Sequence, residues 1–317
     1  MWFKRWEQRG SALITALLIT AVCAILSTAI LINQATIVNQ AMLIHNSDQL
    51  YLAANATQVW SLSAIQSKVQ SFNQGQTIYS LQGNTPIPAI KLGQAVAQGV
   101  LLDANNRFNI NALTLTQNQP AFARLITAVS PNTSLQTANL IAESVSHWML
   151  PTGDESNYLN HHPPYRPARM PMVNVTELKS VLLMNSQTPA VTPQLFSTLS
   201  PYLVALPQKT NQINVSDITS AEQIAPILFA LNQKIDMNEA ITLAQCLAAK
   251  KPQNITDLTN QCPMAMGIST LIFHSQYYLV NSQARLEDQE MQLTSLLGIE
   301  KDSKNKAYFG VIWQSVS

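Results

Sequence analysis

Asp154 and Glu155 are adjacent carboxylates that directly follow Gly153, in a stretch whose composition predicts a loop. Carboxylate and backbone oxygens in a loop are the ligands that hard cations such as Ca²⁺ prefer. A calcium ion takes about six to eight oxygen ligands, so this pair needs further ligands from elsewhere in the chain. The two residues are therefore a candidate calcium site that the local sequence leaves incomplete.

Two histidines, His161 and His162, are further side chains in this region that could bind a metal. They precede two prolines, and adjacent side chains point to different sides, so a solvated loop is the better interpretation. The sequence also contains no G-x-S-x-G, H-E-x-x-H, G-x-G-x-x-G, Walker A or C-x-x-C motif. These observations predict a protein without catalytic residues that is not an enzyme.

Charge is scarce in this sequence of 317 residues, since only 11% of them are Asp, Glu, Lys or Arg. A typical soluble domain has roughly 25%. The 18 basic and 17 acidic side chains give a formal net charge of +1. This balance argues against a nucleic-acid-binding protein, which needs a clustered basic surface. The hydrophobic share of 47% argues equally against a disordered chain.

The N-terminus contains an apolar segment, residues 11–32, without a charge, a proline or a glycine. As a helix it would be roughly 33 Å long, enough to cross a hydrocarbon core of about 30 Å. The preceding segment MWFKRWEQRG is basic, which predicts that it stays in the cytoplasm while the rest of the chain is exported. The apolar run is too long for a cleavable secretory signal peptide, so a signal anchor is the simplest interpretation.

Helical periodicity continues beyond the apolar segment. Apolar residues recur at spacings of three and four as far as Trp60, and no proline or glycine occurs between Ser11 and Ser71. We therefore predict one helix over 11–66, about 84 Å long. Its first part is apolar on all sides and its second part is amphipathic, so a globular domain should cover one face of the second part.

The rest of the sequence predicts an α+β fold. Short strands are predicted at 76–81 and 99–102, and an antiparallel meander from Leu271 through 307–313. Between them lies a mostly helical block. The predicted helices are 121–129, 133–149, 176–184, 193–202, 219–231 and 236–250. The pattern indicates a small α/β domain that is interrupted by a helical insertion.

A short pattern, Asn-aliphatic-(Asn/Ser/Thr)-x-aliphatic, occurs four times and precedes helical stretches. Its third residue is predicted to be the N-cap of the following helix, because Ser and Thr are strong capping residues. Three of the copies also match the acceptor sequence for N-glycosylation, which is the less favoured interpretation. The copies begin at Asn109, Asn174, Asn214 and Asn254.

The basic leader that ends in Arg9-Gly10, followed directly by an apolar helix, resembles the prepilin signal of type IV pilins and type II secretion pseudopilins. The resemblance implies that a prepilin peptidase cuts between Gly10 and Ser11 and that the new N-terminus at Ser11 is methylated. Most family members have Glu at the fifth mature position, where this sequence has Thr15. In the family that Glu pairs with a neighbouring subunit, so Thr15 suits a subunit with nothing stacked above it.

Four longer segments resemble, in order, the type II secretion minor pseudopilin K family, also called general secretion pathway protein K. They are RFNINAL, HWMLPTGDESNYLNHHPPYRPARMPMVNVTELKSVLLM, INVSDITSAEQIAPIL and SQYYLVNSQARLEDQEMQLTSLL. The resemblance implies a pseudopilin fold with a long transmembrane helix, a small antiparallel sheet and a large α-helical insertion. The implied division is a leader at 1–10, the N-terminal helix at 11–66, the first part of the α/β domain at 67–108, the insertion at 109–212 and the remaining α/β domain at 213–317.

This resemblance bears on the acidic loop and on the cysteines. The family binds calcium in its insertion through an acid-rich loop after a Trp, but here Trp148 is followed by Met-Leu-Pro. The missing acids predict that calcium binding at Asp154 and Glu155 is weakened or lost. Cys246 and Cys262 lie in the exported part, where an oxidising periplasm favours a disulfide over two free thiols.

The function that the resemblance implies is a structural one, at the tip of the type II secretion pseudopilus. There the protein would nucleate or cap the filament, anchored in the bacterial inner membrane with its C-terminal domain in the periplasm. The implied partners are minor pseudopilins I and J and the prepilin peptidase, with the major pseudopilin, the outer-membrane channel and secreted cargo as further candidates. The alternatives are a type IV pilus minor pilin and a signal-anchored periplasmic binding protein or hydrolase.

Overall fold

A computed structural model describes residues 9–73, 84–265, 268–301 and 307–316 of the chain. A single helix, α1 (Arg9–Asn73), forms the N-terminal part. The predicted helix over 11–66 is thus confirmed and is seven residues longer at its C-terminal end. Uninterrupted helical periodicity without proline or glycine explains its length. The strand predicted at 76–81 lies outside the described residues.

A five-stranded antiparallel sheet packs against the second part of α1. Its strands are β1 (Thr85–Leu92), β2 (Ala95–Asp103), β7 (Tyr277–Leu286), β8 (Gln289–Lys301) and β9 (Ala307–Val316), in the order β1-β2-β7-β8-β9. The strand predicted at 99–102 belongs to β2. The last three strands form the predicted antiparallel meander, with Tyr277 opposite Gly298 and Leu293 opposite Val316. The α+β fold class is confirmed.

Small side chains bring α1 close to the sheet. Ala53 and Ala54 are fully buried with Ala95 and Ala97 of β2. One turn further along α1, the Ser295 hydroxyl of β8 donates a hydrogen bond of 2.5 Å to Gln58 Oε1. The amphipathic second part of α1 therefore packs on the chain's own sheet, as its sequence predicts.

A helical block lies between β2 and β7 and encloses the largest hydrophobic core of the chain. Its helices and short strands are β3 (Phe108–Asn109), α2 (Gln119–Val129), α3 (Leu135–Met149), α4 (Ser156–Leu159), α5 (Pro193–Leu199), β4 (Leu203–Val204), β5 (Ile213–Asn214), α6 (Ala221–Leu231), α7 (Met237–Lys250), α8 (Ile255–Gln261) and β6 (Leu271–Ile272). β3 pairs with β4, and β5 with β6, both in parallel.

This core extends beyond the predicted bounds of the insertion, 109–212. Phe108 and Leu243 belong to the same buried cluster, which continues to Ala265. A boundary at 212 would cut through that cluster and assign α6, α7 and α8 to the sheet domain. The helical block is therefore taken as residues 104–275, which connect β2 to β7, its neighbour in the sheet.

Two local predictions were wrong. Residues 176–184 do not form an α-helix, because only Val175–Ser180 adopts a 3₁₀ helix and Leu182 then forms a bridge with Pro189. The cap of the repeated pattern is its first residue. Asn174 accepts a hydrogen bond of 2.9 Å from the Thr176 N–H, and Asn254 accepts one of 2.9 Å from the Asp257 N–H. An Asn side chain is long enough to reach a backbone N–H two or three residues later, so it serves as the cap itself.

Candidate functional site

The first part of α1 has the length and composition of a membrane anchor. It is the one helix in the described part of the chain that is long and apolar enough to cross a membrane, and its apolar window has no buried residue. All residues from Leu13 to His45 are exposed. An exposed helix that is apolar on all sides needs lipid or other helices around it. We conclude that α1 anchors the protein in a membrane.

The predicted cleavage position lies at the very start of this helix. Gly10 and Ser11 belong to the first turn of α1, while residues 1–8 lie outside the described residues. Cleavage after Gly10 would therefore remove the basic leader and leave the anchor intact. A secretory signal peptidase, by contrast, would cut behind the apolar segment and release the domain.

A second exposed apolar surface follows the anchor. Ile37, Val38, Met42 and Ile44 are each more than half exposed, and they lie beyond Ile32 but before Leu50, where the sheet begins to cover α1. Their spacing places Val38 and Met42 on one face and Ile37 and Ile44 beside them. We call these four residues the α1 stripe. Nothing in the described part of this chain packs on the α1 stripe. An exposed apolar surface of this kind is typical of a contact with a partner subunit.

The helical block lies at the end of the sheet that is far from the anchor. Leu50 of α1 packs beside Ala95 at the start of β2, and Ile65 packs beside Leu101 near the end of that strand. The block begins directly after β2 ends at Asp103. Since α1 rises by 1.5 Å per residue, Ile65 is about 50 Å from Ile32 along the helix axis. The block therefore lies at the end of the sheet that is farthest from the apolar part of α1.

A buried polar cluster joins the block to the sheet. Asp103 accepts hydrogen bonds from the Asn214 side chain at 2.8 Å and from the Ser275 hydroxyl. Asn105 donates its N–H to Asp103 Oδ1 at 2.8 Å, and its own Oδ1 accepts from the N–H of Gln276 at 2.9 Å. The cluster thus connects the end of β2, the end of β5 and the segment that leads into β7.

Burial at this junction changes the acidity of Asp103. Desolvation raises its pKa to about 6, and the hydrogen bonds from Ser275, Asn214 and Asn105 offset part of that effect. The sequence did not single out Asp103. Its two side-chain partners are 111 and 172 residues away along the chain, so no local pattern indicates them.

Asn111 holds the inside of the block together. Its side-chain amide donates to the carbonyl oxygens of Met172 at 2.8 Å and Leu206 at 2.9 Å, and its Oδ1 accepts from the Met172 N–H at 2.8 Å. Three segments far apart in sequence meet at this one buried side chain. The second Asn of RFNINAL was the available signal, but the pattern was interpreted as a helix cap.

The acidic loop has a geometry different from that of a cation site. The backbone N–H of Ser156 donates to Asp154 Oδ1 at 2.9 Å, and its hydroxyl donates to Oδ2 at 2.8 Å. These bonds hold the pKa of Asp154 below its usual value. Glu155 instead forms an ion pair of 3.1 Å with Arg169 and a longer one of 3.9 Å with Arg166. The two carboxylates therefore have different partners.

Arg169 is the centre of this loop. Its guanidinium donates to the carbonyl oxygen of Leu150 at 3.2 Å, to that of Gly153 at 2.7 Å and to Glu155 Oε1 at 3.1 Å. Gly153 has a φ of 151°, and a side chain there would collide with His147 Nε2 and approach Arg169 Nη1 to 3.0 Å, which together explain the glycine. Sequence reasoning missed Arg169. The only available signal was a basic residue in the Pro-rich segment that follows the acidic pair.

Calcium does not fit this set of donors. Two carbonyl oxygens and one carboxylate, the oxygens that a hard cation would use, already bind a guanidinium. In the ranges that the structure describes, no group of three or more His, Cys, Asp or Glu side chains could hold a metal ion. His161 and His162 belong to the same surface region, where the His161 ring packs against the Tyr165 ring.

Cys246 of α7 and Cys262, directly after α8, form a disulfide in the structure, with their Cα atoms 6.0 Å apart. The bond closes a loop at the edge of the helical block. Cys23, in the anchor, is a free and exposed thiol. The disulfide stabilises the end of the insertion, where the chain turns back towards β6 and the sheet.

Comparisons with known proteins agree with this architecture. Residues 106–208 match the family model of type II secretion system protein K, first domain, and thus cover the first part of the helical block. The type II secretion system protein K of Pectobacterium carotovorum subsp. carotovorum is 25% identical over 92% of this chain and 93% of its own length. The corresponding protein of Pseudomonas aeruginosa is 23% identical over 95% of this chain and 91% of its own length.

The fold is also that of a solved structure. A chain in the crystal structure of the GspK-GspI-GspJ complex from the enterotoxigenic Escherichia coli type 2 secretion system superposes with a TM-score of 0.69. The superposition covers 88% of this chain and 99% of that chain at 20% sequence identity. The matched domain, the similarity along almost the whole sequence and the shared fold lead to one conclusion: the chain is similar to type II secretion system protein K in its helical block, in its sequence and in its fold.

Proposed function

We propose that the protein is a minor pseudopilin at the tip of a type II secretion pseudopilus, where it nucleates or caps the filament during protein export across the outer membrane. The single observation that carries this proposal is the position of the helical block. The block begins and ends at the edge of the sheet beside Ile65, about 50 Å along α1 from Ile32, where the apolar segment ends.

This position has a direct consequence for assembly. Subunits that stack by their N-terminal helices need the space above each sheet for the next subunit. Here the block of residues 104–275 occupies the membrane-distal end of the sheet and is tied to it by the Asp103 cluster. A subunit of this shape supports growth below it and obstructs growth above it.

Pseudopilins I and J are the proposed partners, because the solved structure of this fold contains GspI and GspJ beside GspK. The α1 stripe offers them an apolar helix surface that this chain leaves uncovered. The test is co-expression of the full chain with the I and J proteins of the same bacterium, followed by purification through a tag on this chain. We expect the three chains to elute together.

Variants of the stripe sharpen this test. Ile37→Ser combined with Ile44→Ser should reduce the recovery of I and J, because it removes exposed apolar contacts and leaves the core unchanged. Gln34→Ser combined with Gln40→Ser, on the same stretch of helix, is the matched control and should leave recovery unchanged. An I–J complex that forms readily and never retains this chain would contradict the proposal.

Processing by a prepilin peptidase is part of the same proposal. The enzyme would cut between Gly10 and Ser11 and methylate Ser11, leaving α1 in the inner membrane and the sheet and block in the periplasm. Mass spectrometry of the chain after co-expression with the peptidase should give an N-terminus at methylated Ser11. Gly10→Val should block the cut, whereas Gln8→Ala should not. An intact Met1 in the wild-type chain would exclude this processing.

We further propose that the acidic loop works without calcium. Arg169 supplies the positive charge there, and it binds the carbonyl oxygens of Leu150 and Gly153 together with Glu155. A fixed guanidinium makes the shape of this surface independent of the calcium concentration outside the cell.

A further inference from the structure

A groove opens on the sheet face opposite α1, where the helical block meets β9. It has a volume of about 490 Å³, which lies in the range of ligand-binding pockets. Residues of β7, β8 and β9 form its floor and residues of the block form its wall. We call it the Arg107 groove; the lining residues that matter here are Arg107, Thr176, Phe196, Asn281, Trp313 and Ser315.

Among the described residues that line this groove, Arg107 is the only one with a charged side chain. It is half-buried, and burial lowers the pKa of its guanidinium. Among the described residues it has no hydrogen-bond or ion-pair partner. Two other arginines of the block differ in this respect, since Arg124 donates to the carbonyl oxygen of Phe229 and Arg169 pairs with Glu155.

A half-buried guanidinium without a counter-charge carries a desolvation cost that a bound anion would offset. A second donor lines the same groove. The indole Nε1–H of Trp313 is buried and has no acceptor in the part of the chain that the structure describes. The described lining of the groove thus contains a cation and a buried, unsatisfied N–H, and it contains no acidic side chain.

The rest of the lining favours a peptide over a free anion. Phe196 in the wall and Trp313 in the floor provide apolar surface, and Thr176 and Asn281 are neutral groups that can hydrogen-bond to a main chain. The neighbouring depression on the same sheet face shares Asn281 with the groove and is lined by amide side chains such as Gln98 and Gln283. A continuous neutral surface with one cation suits an extended segment that carries one acid.

We propose that the Arg107 groove binds an acidic side chain of a partner protein, with its carboxylate held by the Arg107 guanidinium. Guanidinium and carboxylate form paired, charge-assisted hydrogen bonds in this arrangement, which gives both strength and orientation. Trp313 packs against the segment that carries the acid. This inference does not depend on the position of the protein in a filament, because it concerns only the chemistry of one surface.

Trp313 provides the means to test it. The full chain, purified in detergent and labelled with 5-fluorotryptophan, is titrated with the capped peptide Ac-Ala-Glu-Ala-NH2 and followed by ¹⁹F NMR. Trp313→Phe identifies the resonance of Trp313. We expect that resonance to shift with the Glu peptide and to stay unchanged with Ac-Ala-Gln-Ala-NH2, which differs only in the charge. An equal response to both peptides would overturn the proposal.

Variants and a competing anion complete the test. Arg107→Gln should weaken binding of the Glu peptide by roughly tenfold or more, since it removes the charge-assisted pair. Arg166→Gln, at a side chain that is 76% exposed outside the groove, should have no effect. Unchanged binding in Arg107→Gln would contradict the proposal.

Inorganic phosphate is the competing anion. If it shifted the Trp313 resonance more strongly than the peptide does, the groove would be a simple anion site and the proposal would be wrong. If Arg107→Gln does not fold, the comparison of the two peptides on the wild-type chain still decides.

Discussion

The Asn214 side chain donates a hydrogen bond of 2.8 Å to the Asp103 carboxylate, across the point where the helical block leaves the sheet. Both residues are buried. The bond joins the end of β2 to the end of β5, and the Ser275 hydroxyl closes the cluster from the side of β7. A buried carboxylate thus connects the helical block to the sheet.

Asp103 should make stability depend on pH. Its pKa is about 6 in the folded chain and 3.8 when unperturbed, so the folded state holds the proton more tightly. Stability is therefore greatest below about pH 4 with respect to this group, and it falls as the pH rises through about 6, by about 3 kcal/mol in total. Asp103→Asn should abolish that slope. Denaturant unfolding of the full chain in detergent at a series of pH values measures it.

The control for this prediction is Asp288→Asn, at an exposed position in the turn between β7 and β8. It should keep the wild-type slope. The readout is the slope and not the absolute stability, because the amide at position 103 also changes the hydrogen bonds with Asn214 and Ser275. A wild-type slope that persists in Asp103→Asn would show that another group causes it.

Asn111 and Asn254 both belong to copies of the sequence pattern, as its third and its first residue, but Asn111 is buried and Asn254 is exposed, so their substitutions should differ in cost. Asn111→Ala removes three buried hydrogen bonds and leaves the backbone groups of Met172 and Leu206 unsatisfied, which should cost about 2–4 kcal/mol. Asn254→Ala removes an exposed helix cap and should cost about 1 kcal/mol. Denaturant unfolding compares the two, and equal losses would mean that the bridge at Asn111 contributes little.

Arg169 should replace calcium as the charge that organises the acidic loop. Arg169→Gln removes charge-assisted hydrogen bonds from a mostly buried guanidinium and should cost about 1–3 kcal/mol. Arg166→Gln, with its longer and exposed ion pair, should cost less than about 1 kcal/mol. The melting temperature of the wild-type chain should be the same in calcium and in a chelator. A calcium-dependent rise that disappears in Asp154→Ala would refute this account.

The disulfide between Cys246 and Cys262 should stabilise the end of the block. In the chain-entropy model, a loop of this length gives about 3 kcal/mol. Cys246→Ser combined with Cys262→Ser should lower stability by that amount, while Cys23→Ser should not change it. Mass spectrometry of the chain before and after reduction should differ by the mass of two hydrogen atoms. Identical masses would mean that the bond is absent from the isolated protein.

The large elements of this fold could be predicted because their signals are local. α1 follows from an uninterrupted apolar and then amphipathic run, and β7, β8 and β9 follow from alternating residues. The helix at 176–184 was wrong because the chain leaves its 3₁₀ turn at Val181 to pair Leu182 with Pro189. A contact between segments thus overrode a short local pattern.

The residues that organise the candidate site could not be predicted in this way. Asp103 meets partners that are more than a hundred residues away, and Arg169 binds carbonyl oxygens whose positions depend on the folded loop. Neither relation has a sequence period or a fixed spacing. The acidic pair did stand out in the sequence, but its partners decide its role, and only the fold supplies them.

The helical block should place this subunit at one end of a filament. The most direct measurement is electron microscopy of type II pseudopili assembled with the full chain. A small affinity tag, inserted into the exposed loop around Ser186, binds the gold label. We expect one label at one end of each filament. Labels spaced along the filament would contradict it, because the block would then leave room for a subunit above it.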